Sequence, residues 1–264
     1  MPEGDSAWQT AKRLRDVLEG QALRHTDFRV PSYATVDLSG RVVDEVLSRG
    51  KHLLIRVGDR TIHSHLKMEG RWDVHPVGTR WRRPAHAARI VLRTDSDEAV
   101  GFWLGIAEVI ERDRESDAVG HLGPDLLGPD WDADEAVRRL QQQSDRPVFL
   151  ALLDQRNLAG LGNEYVNELL FIAGLAPTRP VTEVPDLKRL VTRAHQVINA
   201  NRDRARRTFT GVSRRGQERW VYGRDRDTCR RCGGPIRRGS LGDSPAAQRD
   251  TFWCPACQPD QSGD

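Results

Sequence analysis

The chain has 264 residues, 38% of them hydrophobic and 30% charged, enough to bury a core in two modest domains and too apolar for a disordered tail. No apolar run reaches the ~20 residues of a membrane span, and the start lacks the basic-then-apolar pattern of a secretory signal. A cytoplasmic protein, not a membrane one, is expected.

The chain opens MPEGDS. Ala7, Ala11, Leu14 and Leu18 then recur at helical spacing, and Gly20 ends the run. Short β-like runs follow: RVVDEVLSR, HLLIRV, TIHSHL, ARIVLRT and VGFWLGI, separated by turns at Gly50, Gly58-Asp59 and Gly70. They predict a β-sandwich reaching to about residue 125. From Trp131 the pattern turns helical: WDADEAVRRLQQQ, RPVFLALLDQ, NEYVNELLFIAG and DLKRLVTRAHQVINANR. Asp132 is placed to cap the first of these and Gly174 to end the third, with the glycine-punctuated RNLAGLG between the second and third.

Net charge is only +3, yet residues 202–238 hold thirteen Arg against four acids, an excess of nine on an otherwise acidic chain. A basic segment of this kind points to a polyanion, most simply nucleic acid, or to a solvated arginine face. Lysine occurs only at Lys12, Lys51, Lys67 and Lys188, so each has few substitutes.

All four cysteines lie near the end. Cys229-x2-Cys232 and Cys254-x2-Cys257 are separated by 21 residues. Each C-x2-C turn brings two thiolates to one tetrahedral ion, and TFW before Cys254 suits a strand, so a hairpin zinc ribbon is expected. Paired disulfides or a redox motif are the alternatives; a cytosolic setting disfavours the first and two matched pairs the second. Four thiolates leave no open position, so one structural Zn2+ is expected, not a hydrolytic one.

The opening residues also carry chemistry. Methionine is commonly removed before proline, which would expose the Pro2 amine. An α-amino group has a pKa of about 7.7–8 against about 10.4 for lysine, so its free-base fraction at neutral pH is larger by about a few hundred-fold. A secondary amine attacking an aldehyde-like carbon gives an iminium, an electron sink that permits elimination. Glu3 is placed to move a proton. Read alone, Met-Pro-Glu is an ordinary frayed terminus, since many proteins begin Met-Pro.

Together these motifs resemble the bacterial formamidopyrimidine-DNA glycosylase/endonuclease VIII family of bifunctional DNA repair glycosylases, over essentially the whole chain. The resemblance is carried by MPEG at 1–4, RGKHLLIR at 49–56, HSHLKMEG at 63–70, HLGPDLL at 121–127, LLDQRNLAGLGNEYVNELLFIAGLAP at 152–177 and WVYGR with the cysteine ribbon at 220–257. It implies an α+β fold: an N-terminal β-sandwich catalytic domain over 1–128, a helix–two-turn–helix domain over 129–222 and a zinc ribbon over 223–264. It implies Pro2 as the nucleophile at C1′, Glu3 as acid/base and Lys51 as a phosphate-holding catalytic residue. It also implies that His65, Asn163 and Arg249 grip phosphates, that Met68 fills the duplex where the damaged nucleotide is extruded, and that the protein works as a monomer on damaged DNA, double-stranded or in a bubble or single strand. Read singly, Lys51 and Arg249 are solvated side chains, His65 a strand residue, Met68 a core residue and Asn163 a helix cap; but Asn163 follows Gly162 at a helix start, where backbone N–H groups favour an anion.

MPEG is similar to the endonuclease VIII branch, where the 8-oxoguanine branch reads MPEL. The region 101–113, GFWLGIAEVIERD, lacks the Arg-Phe tip of the guanine branch, and TFTGVSRRGQERWVYGR at 208–224 leaves little room for its lesion-capping loop. The chain looks most like the actinobacterial second endonuclease VIII. Removal of oxidised pyrimidines with nicking by β,δ-elimination is therefore expected, ahead of an 8-oxoguanine glycosylase of the same fold or a non-catalytic zinc-ribbon DNA-binding protein. Ser6, the 21-residue span between cysteine pairs and Glu69 in the insertion loop depart from the family pattern.

Overall fold

The computed structural model describes residues 2–260 and divides into two compact units, one running to His121 and the other starting at Leu122. In the first, α1 (Gly4–Leu18) starts three residues ahead of its apolar periodicity. Ala7, Ala11, Leu14 and Leu18 are all buried, the outcome expected of one face of an amphipathic helix.

Eight strands follow among the described residues of this unit: β1 (His25–Phe28), β2 (Glu45–Arg49), β3 (His52–Val57), β4 (Arg60–His65), β5 (Arg71–Pro76), β6 (Ala88–Arg93), β7 (Asp97–Phe102) and β8 (Ile106–Glu111). They form two antiparallel sheets of order β1-β6-β7-β5 and β2-β3-β4-β8. Leu53, Ile55 and Ile62 of one sheet share a core with Phe28, Ile90 and Leu92 of the other and with α1. This is the expected sandwich. A short helix, α2 (Glu115–Val119), is held by Arg56, whose Nε and Nη2 donate to the Glu115 carboxylate at 2.8 and 2.6 Å.

Two features depart from the sequence pattern. β5 lies at a sheet edge, so Arg71 and Asp73 stay accessible and the apolar signal is weak. The continuous run VGFWLGI is two strands in different sheets, because Trp103 takes φ +48 and turns the chain.

The second unit packs α3 (Ala133–Gln141), α4 (Val148–Leu153), α5 (Asn163–Ala173) and α6 (Leu187–Asn201) around Leu140, Phe149, Leu152, Leu169, Val191 and Ile198. Asp132 caps α3, its Oδ1 accepting from the Asp134 and Glu135 N–H groups at 2.9 and 3.0 Å. Between α4 and α5 the chain makes two turns laced by Gln155. Its amide donates to the Leu153 and Leu161 carbonyls at 2.8 and 2.9 Å, and its Oε1 accepts from Gly160 N–H at 3.1 Å. The result is a helix–two-turn–helix. Gly174, at φ +72, ends α5. A hairpin of β9 (Arg237–Leu241) and β10 (Arg249–Trp253) completes the unit.

α5 is buried on its polar side as well as its apolar side: Asn163, Glu164, Asn167 and Glu168 are all shielded from solvent. Glu168 is 0% exposed. Its carboxylate accepts from the Trp220, Val221 and Tyr222 N–H groups at 2.7, 2.9 and 2.8 Å. Burial pushes its pKa up to about 7, against the opposing pull of those three bonds. Glu168→Ala strands three N–H groups, at about 1–3 kcal/mol for each that stays unsatisfied. A lower urea midpoint, with loss of about 3 kcal/mol or more, is expected in equilibrium unfolding followed by tryptophan fluorescence.

Candidate active site and metal centre

Pro2 is half-buried, and Glu3 is 1% exposed at the N-cap position of α1. The Ala7 N–H donates to the Glu3 carbonyl at 3.0 Å, which ties the terminus to the helix. The Glu3 side chain does not cap the helix. α1 in turn is fastened to β2: Arg15 Nε and Nη2 donate to the Val46 carbonyl at 3.1 and 2.8 Å, and the Val46 N–H donates to Glu19 Oε2 at 3.0 Å.

β2 leads into the turn that holds Lys51. Arg49 pairs with His52, so Gly50 and Lys51 form a two-residue hairpin loop. Gly50 has φ +58 while Lys51 does not enter the left-handed region. This is the II′ pattern, which calls for glycine at its first position. Lys51 is thus delivered by a stiff hairpin rather than a loose loop.

Across the β3–β4 pair, His52 lies opposite His65. The Lys67 N–H donates to His65 Nδ1 at 2.9 Å, so neutral His65 carries its proton on Nε2. Burial, then the charges of Lys67 and Lys51, hold the His65 pKa down to about 4. Lys51 and His65 therefore share one neighbourhood. Beyond His65 the chain turns tightly, with Gly70 N–H donating to the Leu66 carbonyl at 2.9 Å. A Cβ on Gly70 would lie 2.3 Å from that carbonyl oxygen. Lys67 takes φ +53 in this turn, and Met68 at the tip is 68% exposed.

Sequence reasoning missed three residues here: His52, His63 and Glu108. His63 and His65 alternate in TIHSHL, which places both on one face of a strand; that was the available signal. The partners on β3 and β8 are set by register alone.

In the second unit Asn163 opens α5 and is 6% exposed. Its amide donates to the Asp250 carbonyl at 3.1 Å, which seats it beside the residue following Arg249. Arg249 is exposed at the start of β10, and one of its N–H groups reaches the Gln248 carbonyl at 2.9 Å. The arginine-rich segment is divided in use. Arg207 and Arg219 fork onto Glu164 at 2.8 and 2.7 Å, and Arg231 lies over the Phe171 ring at 4.3 Å. Arg206, Arg214, Arg215, Arg226 and Arg237 are exposed, leaving a cationic surface for an anionic partner.

The four cysteine sulfurs, Cys229, Cys232, Cys254 and Cys257, lie within 4.8 Å of one another. Cys229–Cys257 and Cys232–Cys254 Sγ separations are 3.9 and 3.4 Å. A tetrahedral ion with metal–sulfur bonds of about 2.3 Å requires sulfurs about 3.8 Å apart, so the donor set fits a metal ion. Phe252, Ile236 and Val221 pack with Cys229 and Cys254, backed by Phe171 of α5.

This geometry is that of a known family of DNA glycosylases. Residues 1–103 match the formamidopyrimidine-DNA glycosylase N-terminal domain and residues 122–209 the formamidopyrimidine-DNA glycosylase H2TH domain. The chain belongs to the formamidopyrimidine-DNA glycosylase/endonuclease VIII family. It is 52% identical to the DNA-(apurinic or apyrimidinic site) lyase Nei2 of Mycolicibacterium smegmatis, over 98% of this chain and 99% of that one. It is 51% identical to endonuclease 8 2 of Mycobacterium tuberculosis, over 98% and 100%. A formamidopyrimidine-DNA glycosylase of Exiguobacterium is 30% identical over 98% and 99%. The fold matches that of Lactococcus lactis Fpg solved with abasic-site DNA, at TM-score 0.81, 21% identity and 98% and 100% coverage. Among the described residues no helix is long and apolar enough to cross a membrane.

Burial, ahead of the neighbouring charges, holds His52 down to about 3 and His65 to about 4, below the usual 6.5. The unfolded chain therefore takes up protons near pH 6.5 that the folded one refuses until lower pH, and stability falls as pH drops through that window. His65→Asn is expected to make the fall in melting temperature between pH 6.5 and 4.5 shallower, as read by circular dichroism.

Proposed function

We propose that the chain is a bifunctional DNA glycosylase/AP lyase of base excision repair that removes oxidised pyrimidines. The observation that carries this reading is the full-length match to relatives named as a DNA-(apurinic or apyrimidinic site) lyase and as endonuclease 8 2. The preference for pyrimidines is supported by the β7–β8 connection. It is only Trp103, Leu104 and Gly105, so no Arg-Phe tip projects there to read the base opposite a purine lesion.

Once Met1 is removed, the Pro2 nitrogen attacks C1′ of the extruded nucleotide. The glycosidic bond breaks, the base leaves with a proton, and the sugar ring opens as Glu3 protonates O4′. The nitrogen lone pair then forms an iminium to C1′, which acidifies the C2′–H. Loss of that proton expels the 3′-phosphate, a second elimination expels the 5′-phosphate, and water hydrolyses the iminium to restore the amine. Lys51 holds the phosphate beside the lesion and neutralises charge as each phosphate departs. His65, Asn163 and Arg249 bind backbone phosphates, and Met68 enters the space left by the flipped nucleotide.

The metal is zinc, because four thiolates with no open position suit a tetrahedral closed-shell ion. It would be held by Cys229, Cys232, Cys254 and Cys257 and would fix the β9–β10 ribbon that carries Arg249. Monomeric action on DNA in the cytoplasm accords with this reading, as does a division of labour between 1–128, 129–222 and 223–264.

Borohydride trapping tests the reaction directly. The mature protein is expected to form a covalent adduct with dihydrouracil duplex faster than with 8-oxoguanine duplex. Protein that retains Met1, whose Pro2 nitrogen is acylated, should lose the adduct and most nicking while keeping DNA affinity; undiminished nicking by that form rules Pro2 out as nucleophile. For the metal, elemental analysis should give one zinc per chain, and Cys229→Ser should lose both that zinc and tight binding to damaged duplex, since ribbon folding and metal binding are coupled.

A further inference from the structure

On the sheet face opposite Leu53 and Ile55, three adjacent strands place His52, His63, His65 and Glu108 together. Glu108 lies directly across from His63 in the β4–β8 pair. Glu108 Oε1 accepts from His63 Nδ1 at 2.6 Å, and His63 Nε2 lies 2.7 Å from His52 Nδ1. A carboxylate only accepts, so His63 carries a proton on Nδ1. With His63 neutral, its Nε2 is an acceptor and His52 donates from Nδ1. His52 thereby keeps a lone pair on Nε2. The His52 ring meets His65 edge-on at 4.9 Å and His121 edge-on at 6.4 Å.

We propose that Glu108, acting through His63 and His52, is a positioning residue for the reaction described above: this hydrogen-bond chain holds His52 in one tautomer at the foot of the Gly50–Lys51 turn, and with it the edge-on ring of His65. The inference rests on the proposed glycosylase/lyase activity.

Three observations carry it. His63 is 2% exposed, and burying imidazoles in a sheet costs desolvation that apolar side chains of similar volume would not. The chain ends on His52, the residue immediately after Lys51 and directly opposite His65. The tautomer of a histidine is set by the bond its other nitrogen makes, and here each ring has one such bond: His63 to Glu108, His52 to His63, and His65 to the Lys67 N–H. The groups facing His52 are His63, His65, His121 and Lys67, and Tyr33 faces Glu108. A charged His52 would stand near the Lys67 cation, so a chain that keeps it a neutral Nδ1–H donor adds no further cation to the neighbourhood of Lys51.

The test uses the full-length protein and two variants, Glu108→Leu and Glu108→Gln. Imidazole 15N NMR reads the tautomers, and single-turnover borohydride trapping on dihydrouracil duplex reads the reaction. In wild type His52 should report Nδ1–H and His65 Nε2–H. In Glu108→Leu the His52 signature should become mixed and trapping slow by about ten-fold or more, as misplaced groups in a reacting site do, while DNA affinity changes by less than about three-fold. Glu108→Gln should recover most of the rate, because its amide oxygen still accepts from His63 Nδ1. His52 found as Nε2–H in wild type overturns the proposal whether or not Glu108→Leu folds. Equal trapping by wild type and a folded Glu108→Leu overturns it too, and leaves the proposed function standing. Wild type that traps no lesion or abasic duplex overturns the proposed function and this inference with it.

Discussion

A helix buried on its polar side constrains the second unit. α5 presents Asn163, Glu164, Asn167 and Glu168 to protein rather than to water. Each side chain then needs a partner, because an unsatisfied buried polar group costs about 1–3 kcal/mol. Each finds a partner within residues 207–252. Glu164 takes Arg207 and Arg219, and Glu168 takes three successive backbone N–H groups. Asn167 accepts from Phe252 N–H at 2.6 Å and donates to the Asp250 carbonyl at 3.2 Å. One helix thereby registers the arginine segment and the cysteine ribbon together. The same contacts seat Asn163 beside the strand of Arg249. Loop entropy would otherwise leave a segment with so few regular elements loosely defined.

The first unit poses a different problem, that of placing the residues proposed for catalysis. α1 is fixed by its apolar face and by Arg15 and Glu19 against β2. β2 and β3 then meet in a two-residue turn whose glycine accepts the left-handed conformation. The residues proposed for catalysis thus sit at the ends of rigid elements. Met68 stands out by contrast, on a tight turn and largely exposed. An apolar projection on a stiff base fits the insertion role proposed for Met68.

Much of this was legible before any fold was known, where a local rule applied. Asp132 caps its helix and Gly174 ends its own, because capping depends on a few neighbouring residues. The cysteine spacing read out a four-sulfur cluster, since each C-x2-C turn is self-contained. The strand pattern failed where the local rule was weak. β5 is an edge strand with polar residues, and the apolar run at 100–106 hides a turn at Trp103 between two sheets. The excess of arginine pointed to a polyanion but could not tell Arg207, held against Glu164 and Tyr165, from exposed Arg214.

The sequence by itself determined the amphipathic α1, the helix–two-turn–helix, the cysteine quartet and, through its motifs, the family. Each of these rests on short motifs whose own residues lie close together along the chain. Only the tertiary structure decided that His52, His63 and Glu108 form one hydrogen-bonded chain, and that a carboxylate on α5 organises residues 220–222. His63 and Glu108 are 45 positions apart, and Glu168 is 52 to 54 from its partners. Such contacts follow from strand register and helix packing, which no periodicity in a single stretch of sequence encodes.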